Sequence, residues 1–279
     1  MAPLSRYALR PGGPPLRHGP AKLPACVVVP AWPGFLFVLT PTPALLALET
    51  ATDTVHLGVL VNGRPWVRED AGGAQASAQL LPAILSLLAD AGLTLQQLDA
   101  IAFGRGPGAF TGLRTACAVA QGLAFGAGKP VVPVDTLLIV AEAARRDGGG
   151  DDVWAAQDAR MNEIYAARYR WDGHAWHTLQ APALYSAAAL AQAVADHGGD
   201  CLAGSAVEPH REALAATGLR LQPAARPDAA ALLQLAQAAW QRGEAVDAAL
   251  ALPLYIRDKV AQTTAEREAL AQAAARGPA

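Results

Sequence analysis

Two short apolar runs, Leu45–Leu48 and Val55–Val61, stand on either side of the polar link Glu49–Thr54. Each run has strand length, and Asn62-Gly63 then supplies a hairpin turn. The segment Trp66–Asp70 offers a third strand. From Ala74 to Ala91 the period changes, with Leu80, Leu81, Ile84, Leu87 and Leu88 at helical spacing. Leu98–Phe103 is a short buried strand that runs into a glycine-rich turn. A helix is predicted from about Thr111 to Phe125, stopped by Gly126 and Gly128. Pro130–Val134 is the next strand and Thr136–Arg146 the next helix.

The polar, glycine-rich stretch Arg145–Asp152 breaks the pattern and marks a domain boundary. Three strands are predicted beyond it, Val153–Ala156, Glu163–Tyr169 and Ala175–Leu179, with Trp171-Asp172-Gly173 turning the last two. A helix near Ser186–Asp196, a strand at Cys201–Ala203 and a long helix at Asp228–Arg242 follow. Each half thus opens with antiparallel strands and ends with alternating helix and strand. The halves are related in plan, without a short-period repeat.

Composition bounds the picture. The chain has 279 residues, 52% hydrophobic and 16% charged, enough for a sizeable core in one large domain or two ordinary ones. A net charge of −2 leaves no electrostatic footprint for direct nucleic-acid binding. Cys26, Cys117 and Cys201 are far apart and form no CxxC pair, which argues for reduced thiols and against a zinc knuckle.

Residues 1–43 differ from the rest. Prolines from Pro3 to Pro43 forbid a regular helix there and remove sheet donors. Residues 1–43 read as an unstructured extension or a mis-assigned start, with Val38 or Leu39 as alternative initiators. A secretory signal is the other reading, but Pro30, Pro33 and Gly34 interrupt its apolar stretch. The run Ala25–Leu39 is too short to cross a membrane.

The chemistry centres on Ala102–Thr136. A strand, a glycine loop and a helix N-terminus together make an anion site, so Gly104, Gly106, Gly108 and Thr111 are candidates for holding a phosphate. The competing reading is a tight turn with Thr111 near the cap. Neither the Walker pattern nor the dinucleotide pattern is met, because Pro130 follows Gly128-Lys129 and Ala109 stands where a glycine is required. The helix behind the loop is apolar nearly all round, with Arg114 and Gln121 on one face. Such a helix is buried on more than one side, by its own chain or by a partner. Leu80, Leu81, Ile84 and Leu88 on the first helix, and Ala116, Ala120 and Ala124 on the second, are candidates for a partner surface. Spacing defines these faces but not which way they point.

Hydrolytic chemistry is poorly supported. His18, His56, His174, His177, His197 and His210 make no HxxxH or HExxH, and Gly204-Ser205 lacks the flanks of a nucleophile elbow. No catalytic residue and no metal ligand is assigned. Glu49 and Asp53 on the first hairpin either shape a turn or hold a metal against a nucleotide.

Four segments carry a resemblance: "LLALETATDTVHLGVL", "LDAIAFGRGPGAFTGLRTACAVAQGLAFGAGKPVVPVDTL", "AAQDARMNEIYAARY" and "LPLYIRDKVA". In this order, from Leu45 to Ala261, they resemble the bacterial TsaB (YeaZ) family. The resemblance implies an α/β, two-lobed actin/hexokinase-like (ribonuclease H-like) fold of mixed sheets flanked by helices. It implies a first lobe over 44–147, a second over 148–260 whose last helix can return to the first, and a tail over 261–279. It further implies a non-catalytic, cytoplasmic scaffold in N6-threonylcarbamoyladenosine formation on tRNAs reading codons that start with A. The scaffold pairs with a TsaD-type transferase through helices of the first lobe, or with itself without that partner. A TsaE-type ATPase joins, ATP enters only through it, tRNA is met only through the complex, and no membrane is involved. Glu49 where the family often has Asp, and the lack of a histidine in Gln75-Ala76-Ser77, both weaken metal chemistry. The alternatives are a nucleotide-binding ATPase or kinase-like enzyme of the same fold and, with its metal ligands missing, a protease. The charged residues Asp158, Arg160 and Glu163 are expected to organise the second lobe or the face met by the ATPase.

Overall fold

The structure, a computed structural model, describes residues 27–28, 38–39, 42–72 and 76–257. The signal-sequence and alternative-start readings and the 261–279 tail lie outside the described residues, apart from a two-residue ladder between β1 (Val27–Val28) and β2 (Val38–Leu39). That ladder belongs to a separate unit, Met1–Pro41. The compact body begins at Thr42, two residues earlier than expected. Pro43 is buried, and Ala44 and Asp99 exchange two hydrogen bonds, of 2.8 and 2.7 Å.

The first lobe contains β3 (Leu45–Glu49), β4 (Thr54–Val61), β5 (Arg64–Ala71), α1 (Ala76–Asp90), β6 (Ala100–Gly106), α2 (Phe110–Ala127), β7 (Val131–Asp135) and α3 (Thr136–Arg146). The second repeats the order with β8 (Asp152–Asp158), β9 (Glu163–Trp171), β10 (Trp176–Ser186), α4 (Ala187–His197), β11 (Cys201–Ala203), α5 (Arg211–Ala215), β12 (Arg220–Gln222) and α6 (Ala229–Gln241). The sheets run β5-β4-β3-β6-β7 and β10-β9-β8-β11-β12. In each, the first three strands pair antiparallel and the remaining connections are parallel. β3 and β8 are central and covered on both faces, which is why "LLALE" and "DVWAAQD" show no polar alternation. β5 lies at an edge and alternates with solvent. α5 and β12, of five and three residues, lack an apolar run long enough to announce them.

α1 and α2 cover one face of the first sheet, where Leu80, Ile84, Leu87 and Leu88 meet Leu57, Ile101 and Phe103. α6 covers the other face, with Leu232, Leu233 and Leu235 against Leu45, Ala100 and Val132. α3 in turn packs Leu137, Val140 and Ala144 on Val153, Ala167 and Tyr169 of the second sheet. The lobes have therefore exchanged their last helices. Among the described residues no helix is long and apolar enough to cross a membrane.

Candidate functional site

The glycine turn is filled from within. Gly104 lies inside β6, and a Cβ there would sit 1.7 Å from Glu49 Oε2. The Glu49 carboxylate is fully buried, accepting from Ala51 N–H at 2.6 Å and from the Thr136 hydroxyl at 2.8 Å. Thr136 Oγ1 accepts in turn from Gly106 N–H at 3.1 Å. Burial pushes the Glu49 carboxyl above its ordinary value, and the hydrogen bonds from Ala51, Thr136 and Thr50 only partly oppose this. The other glycines allow the same close approach. A Cβ on Gly106 would meet Leu113, one on Gly108 would lie 2.6 Å from Ala51, and one on Gly112 would lie 1.9 Å from the Thr50 carbonyl.

Of the phosphate candidates, Gly104 and Gly106 are packed against the chain's own Glu49 and Leu113, whereas Gly108, with Ala51, Pro107 and Ala109, lines the cleft between the lobes. The turn holds a carboxylate where a phosphate cradle requires donors or cations. The N-cap of α2 is Ala109, whose N–H donates to Ala51 O at 2.9 Å, and Thr111 lies inside the helix with its side chain exposed. Glu49 ties β3, β6 and α3 together and cannot reach a metal in the cleft. Among the described residues no group of three or more His, Cys, Asp or Glu side chains is placed to hold one.

The two bare helices are corrected in direction. Leu80, Ile84 and Leu88, and Ala116, Ala120 and Ala124, all point into the first-lobe core, with Ala120 at 0% exposure. Only Leu81 of the seven candidates faces out. The outward faces are other rows of the same helices. On α1 the row is Ala78, Leu81, Leu85 and Ala89, with both leucines close to half exposed. On α2 it is Thr111, Arg114, Ala118, Gly122 and Phe125, the last 66% exposed. Ser77 Oγ and Thr115 Oγ1 approach to 3.4 Å where the helices meet. The sequence held one pointer to this face: Arg114, the only charge on α2, shares a row with Ala118 and Phe125.

A cleft of about 770 Å³ separates the lobes. Asp53, Glu69, Asp147, Asp158 and Asp228 line it, with Arg160, Arg226 and Arg257. The arginines are engaged: Arg160 with Asp158 at 3.4 Å, Arg226 with two backbone carbonyls, and Arg257 with Glu163. His56 is buried beside it. Burial lowers its affinity for a proton despite Glu69 Oε1 at 3.3 Å from Nδ1, a contact not aligned as a hydrogen bond.

The turn after β8 gathers Asp158, Arg160 and Glu163. Arg160, Met161 and Asn162 are all left-handed, with φ of 62°, 56° and 60°. The Asp158 carboxylate accepts from Arg160 N–H at 2.9 Å, and Asp158 N–H donates to Ser205 Oγ at 3.1 Å. These contacts hold the turn locally within the second lobe.

The family described as TsaD: tRNA N6-adenosine threonylcarbamoyltransferase matches residues 72–265. The Escherichia coli protein named tRNA threonylcarbamoyladenosine biosynthesis protein TsaB is 31% identical over 221 residues, 78% of this chain and 96% of that protein. The chain belongs to the TsaB (YeaZ) family. The Haemophilus influenzae TsaB is 46% identical over 121 residues, 43% of this chain and 51% of that protein. The solved structure of YeaZ from Pseudomonas aeruginosa superposes with a TM-score of 0.70 at 38% identity, covering 76% of this chain and 99% of that one. Membership ties the chain to tRNA threonylcarbamoyladenosine biosynthesis and to the actin-like α/β fold that its two matched lobes display.

Proposed function

We propose that the chain is a non-catalytic scaffold that pairs with a TsaD-type transferase subunit through the outer faces of α1 and α2, and so supports threonylcarbamoyl transfer to adenosine in tRNA. The observation that carries this reading is the pair of outward rows, Ala78-Leu81-Leu85-Ala89 and Arg114-Ala118-Gly122-Phe125, on neighbouring helices of one sheet face. Large side chains beside small ones give a surface of ridges and shallow grooves suited to helix packing. The occupant is a chain of the same plan. The match to the transferase family over residues 72–265 makes that subunit a relative with corresponding helices, so like faces meet about a pseudo-twofold axis. Without it, a second copy of this chain uses the same face.

In this role the chain needs no cofactor of its own. ATP enters through a TsaE-type ATPase, tRNA is met through the complex, and the site of action is the cytoplasm. The buried Glu49 corner supports the non-catalytic assignment, because its carboxylate cannot reach a ligand in the cleft. The cleft volume lies in the range of small-molecule sites, which favours nucleotide binding as the second reading. Asp53 and Asp147, which have no cationic partner among the described residues, oppose a polyphosphate. The test is co-purification with the transferase, followed by a threonylcarbamoylation assay with and without this chain. Transfer that is independent of the chain overturns the scaffold reading. Tight ATP binding and turnover by the chain alone supports the second.

A further inference from the structure

The segment after α6 runs along α2 of the first lobe and reaches the second lobe at Arg257. Cys117 Sγ and Gln121 Nε2 both donate to Ala251 O at 3.0 Å. Leu254 N–H donates to Arg105 O at 2.7 Å. Tyr255 packs on Phe110 with ring centroids 5.2 Å apart, and Arg114 Nε reaches its hydroxyl at 3.0 Å. Arg114 also lies over the Phe110 ring, 3.7 Å from its centroid. Two residues on, the Arg257 guanidinium pairs with Glu163, donates to Arg160 O at 3.5 Å and lies 3.4 Å from Met161 Sδ.

The strap Ala251–Arg257 thus has one anchor on the helix proposed as the docking element and another on the second-lobe turn. Only Ile256 separates Tyr255 from Arg257, so the anchors are linked by about 7 Å of extended chain. The second anchor meets a turn that cannot adapt freely. Arg114 belongs to the outward row of α2, and Arg160–Asn162 hold three left-handed conformations that non-glycine residues resist. Leu252 and Tyr255 remain substantially exposed along the strap that borders this row.

We propose that this strap is the second part of the docking surface and ties partner binding to the setting of the two lobes. A helix packed on Arg114 and Ala118 also covers Tyr255, and therefore binds the strap-docked state better than the strap-free one. That difference in affinity is what a ligand needs in order to shift a conformational equilibrium. Through Arg257 the docked strap holds the Arg160–Asn162 turn. The inference rests on the docking reading for its partner, but the strap's hold on the turn is testable without one.

The experiment is hydrogen exchange by mass spectrometry over residues 159–164. In the isolated chain, Tyr255→Ala is expected to speed exchange there about tenfold while β6 stays protected. Tyr255→Phe keeps the ring, loses only the hydroxyl, and is expected to give about a third of that change. Faster exchange in both variants supports the tie. Unchanged exchange at 159–164 in Tyr255→Phe, and in a folded Tyr255→Ala, overturns it. Adding excess transferase subunit is expected to slow exchange at 159–164 about tenfold in the wild type and not in Tyr255→Ala. If the complex forms and 159–164 does not respond, the coupling is wrong and the docking reading stands. If no complex forms, the docking reading and the partner's grip on the strap fail together, while the isolated-chain comparison still decides whether the strap holds the turn.

Discussion

The turn between β3 and β4 and the turn between β8 and β9 occupy the same place in two lobes of one strand order, yet they are built in opposite ways. In the first, Thr50 and Ala51 are buried, and Gly104, Gly108 and Gly112 let backbone and carboxylate press together. In the second, Arg160 and Met161 stand at the surface in left-handed conformations, held by Asp158 and Arg257. A shared topology therefore does not dictate a shared use. A solid corner gives α2 a rigid base. An open, strained corner is held by contacts that can be made or released.

The largest effect should come from the helix behind the solid corner. Ala120→Arg puts an unpaired charge in the first-lobe core, at a cost of about 3–5 kcal/mol, so its cooperative melt should be lost or strongly lowered. Ala118→Arg, on the outer row, should melt like the wild type. Its affinity for the transferase subunit should fall by at least about a hundredfold, since each 1.4 kcal/mol is about tenfold. Paired thermal melts and titrations read both. A wild-type melt for Ala120→Arg, or an unchanged affinity for Ala118→Arg, would break the division between inner and outer rows.

That division also marks the limit of the sequence. The order of strands and helices was legible, because each long element has its own period. The β3–β4 pair, the α1 and α2 spans and the return of β8 and β9 follow from apolar runs and turn residues. Direction was not legible. Leu80 and Leu81 are adjacent and equally apolar, but one is in the core and the other faces water. The glycine turn was ambiguous because its glycines look alike whether they admit a ligand or the chain's own Glu49. Only the three-dimensional neighbour decides. The strap was quoted as a family motif, but nothing in "LPLYIRDKVA" says that Tyr255 and Arg257 face different lobes.

The next contrast compares the corners directly. Gly112→Ala is a helix glycine that would ordinarily gain about 1 kcal/mol on substitution. Here its Cβ would lie 1.9 Å from the Thr50 carbonyl, and a loss of about 3 kcal/mol is expected instead. Met161→Gly, at φ 56°, should gain about 1 kcal/mol by relieving a left-handed conformation. Chemical denaturation measures both, and equal signs would erase the contrast.

A pH series sharpens it further. Glu49 has its carboxyl raised above the ordinary 4.5 by burial, so folding favours its protonated form. Its contribution is full below that ordinary value and is lost as pH rises through the folded value. Relative to Glu49→Gln, wild-type stability should decline as pH rises above 4.5 and through the raised folded value. A flat difference in melting would mean that the carboxylate is better compensated than its burial implies. The smallest effect concerns the other end of the body. A chain beginning at Thr42 should keep its stability within about 0.5 kcal/mol, because residues 1–41 form a unit of their own. A larger drop in its melt would show that they support β3.

The exchanged helices impose a timetable on the newly made chain. Its first sheet is complete at Asp135, but the helix that seals that sheet's second face begins only at Ala229. At roughly 5–20 residues per second, the ribosome presents an unsealed apolar face for several seconds. The amino-terminal lobe cannot finish alone, whichever signals its own sequence contains. A chain that stops before α6 is left with that apolar face uncovered.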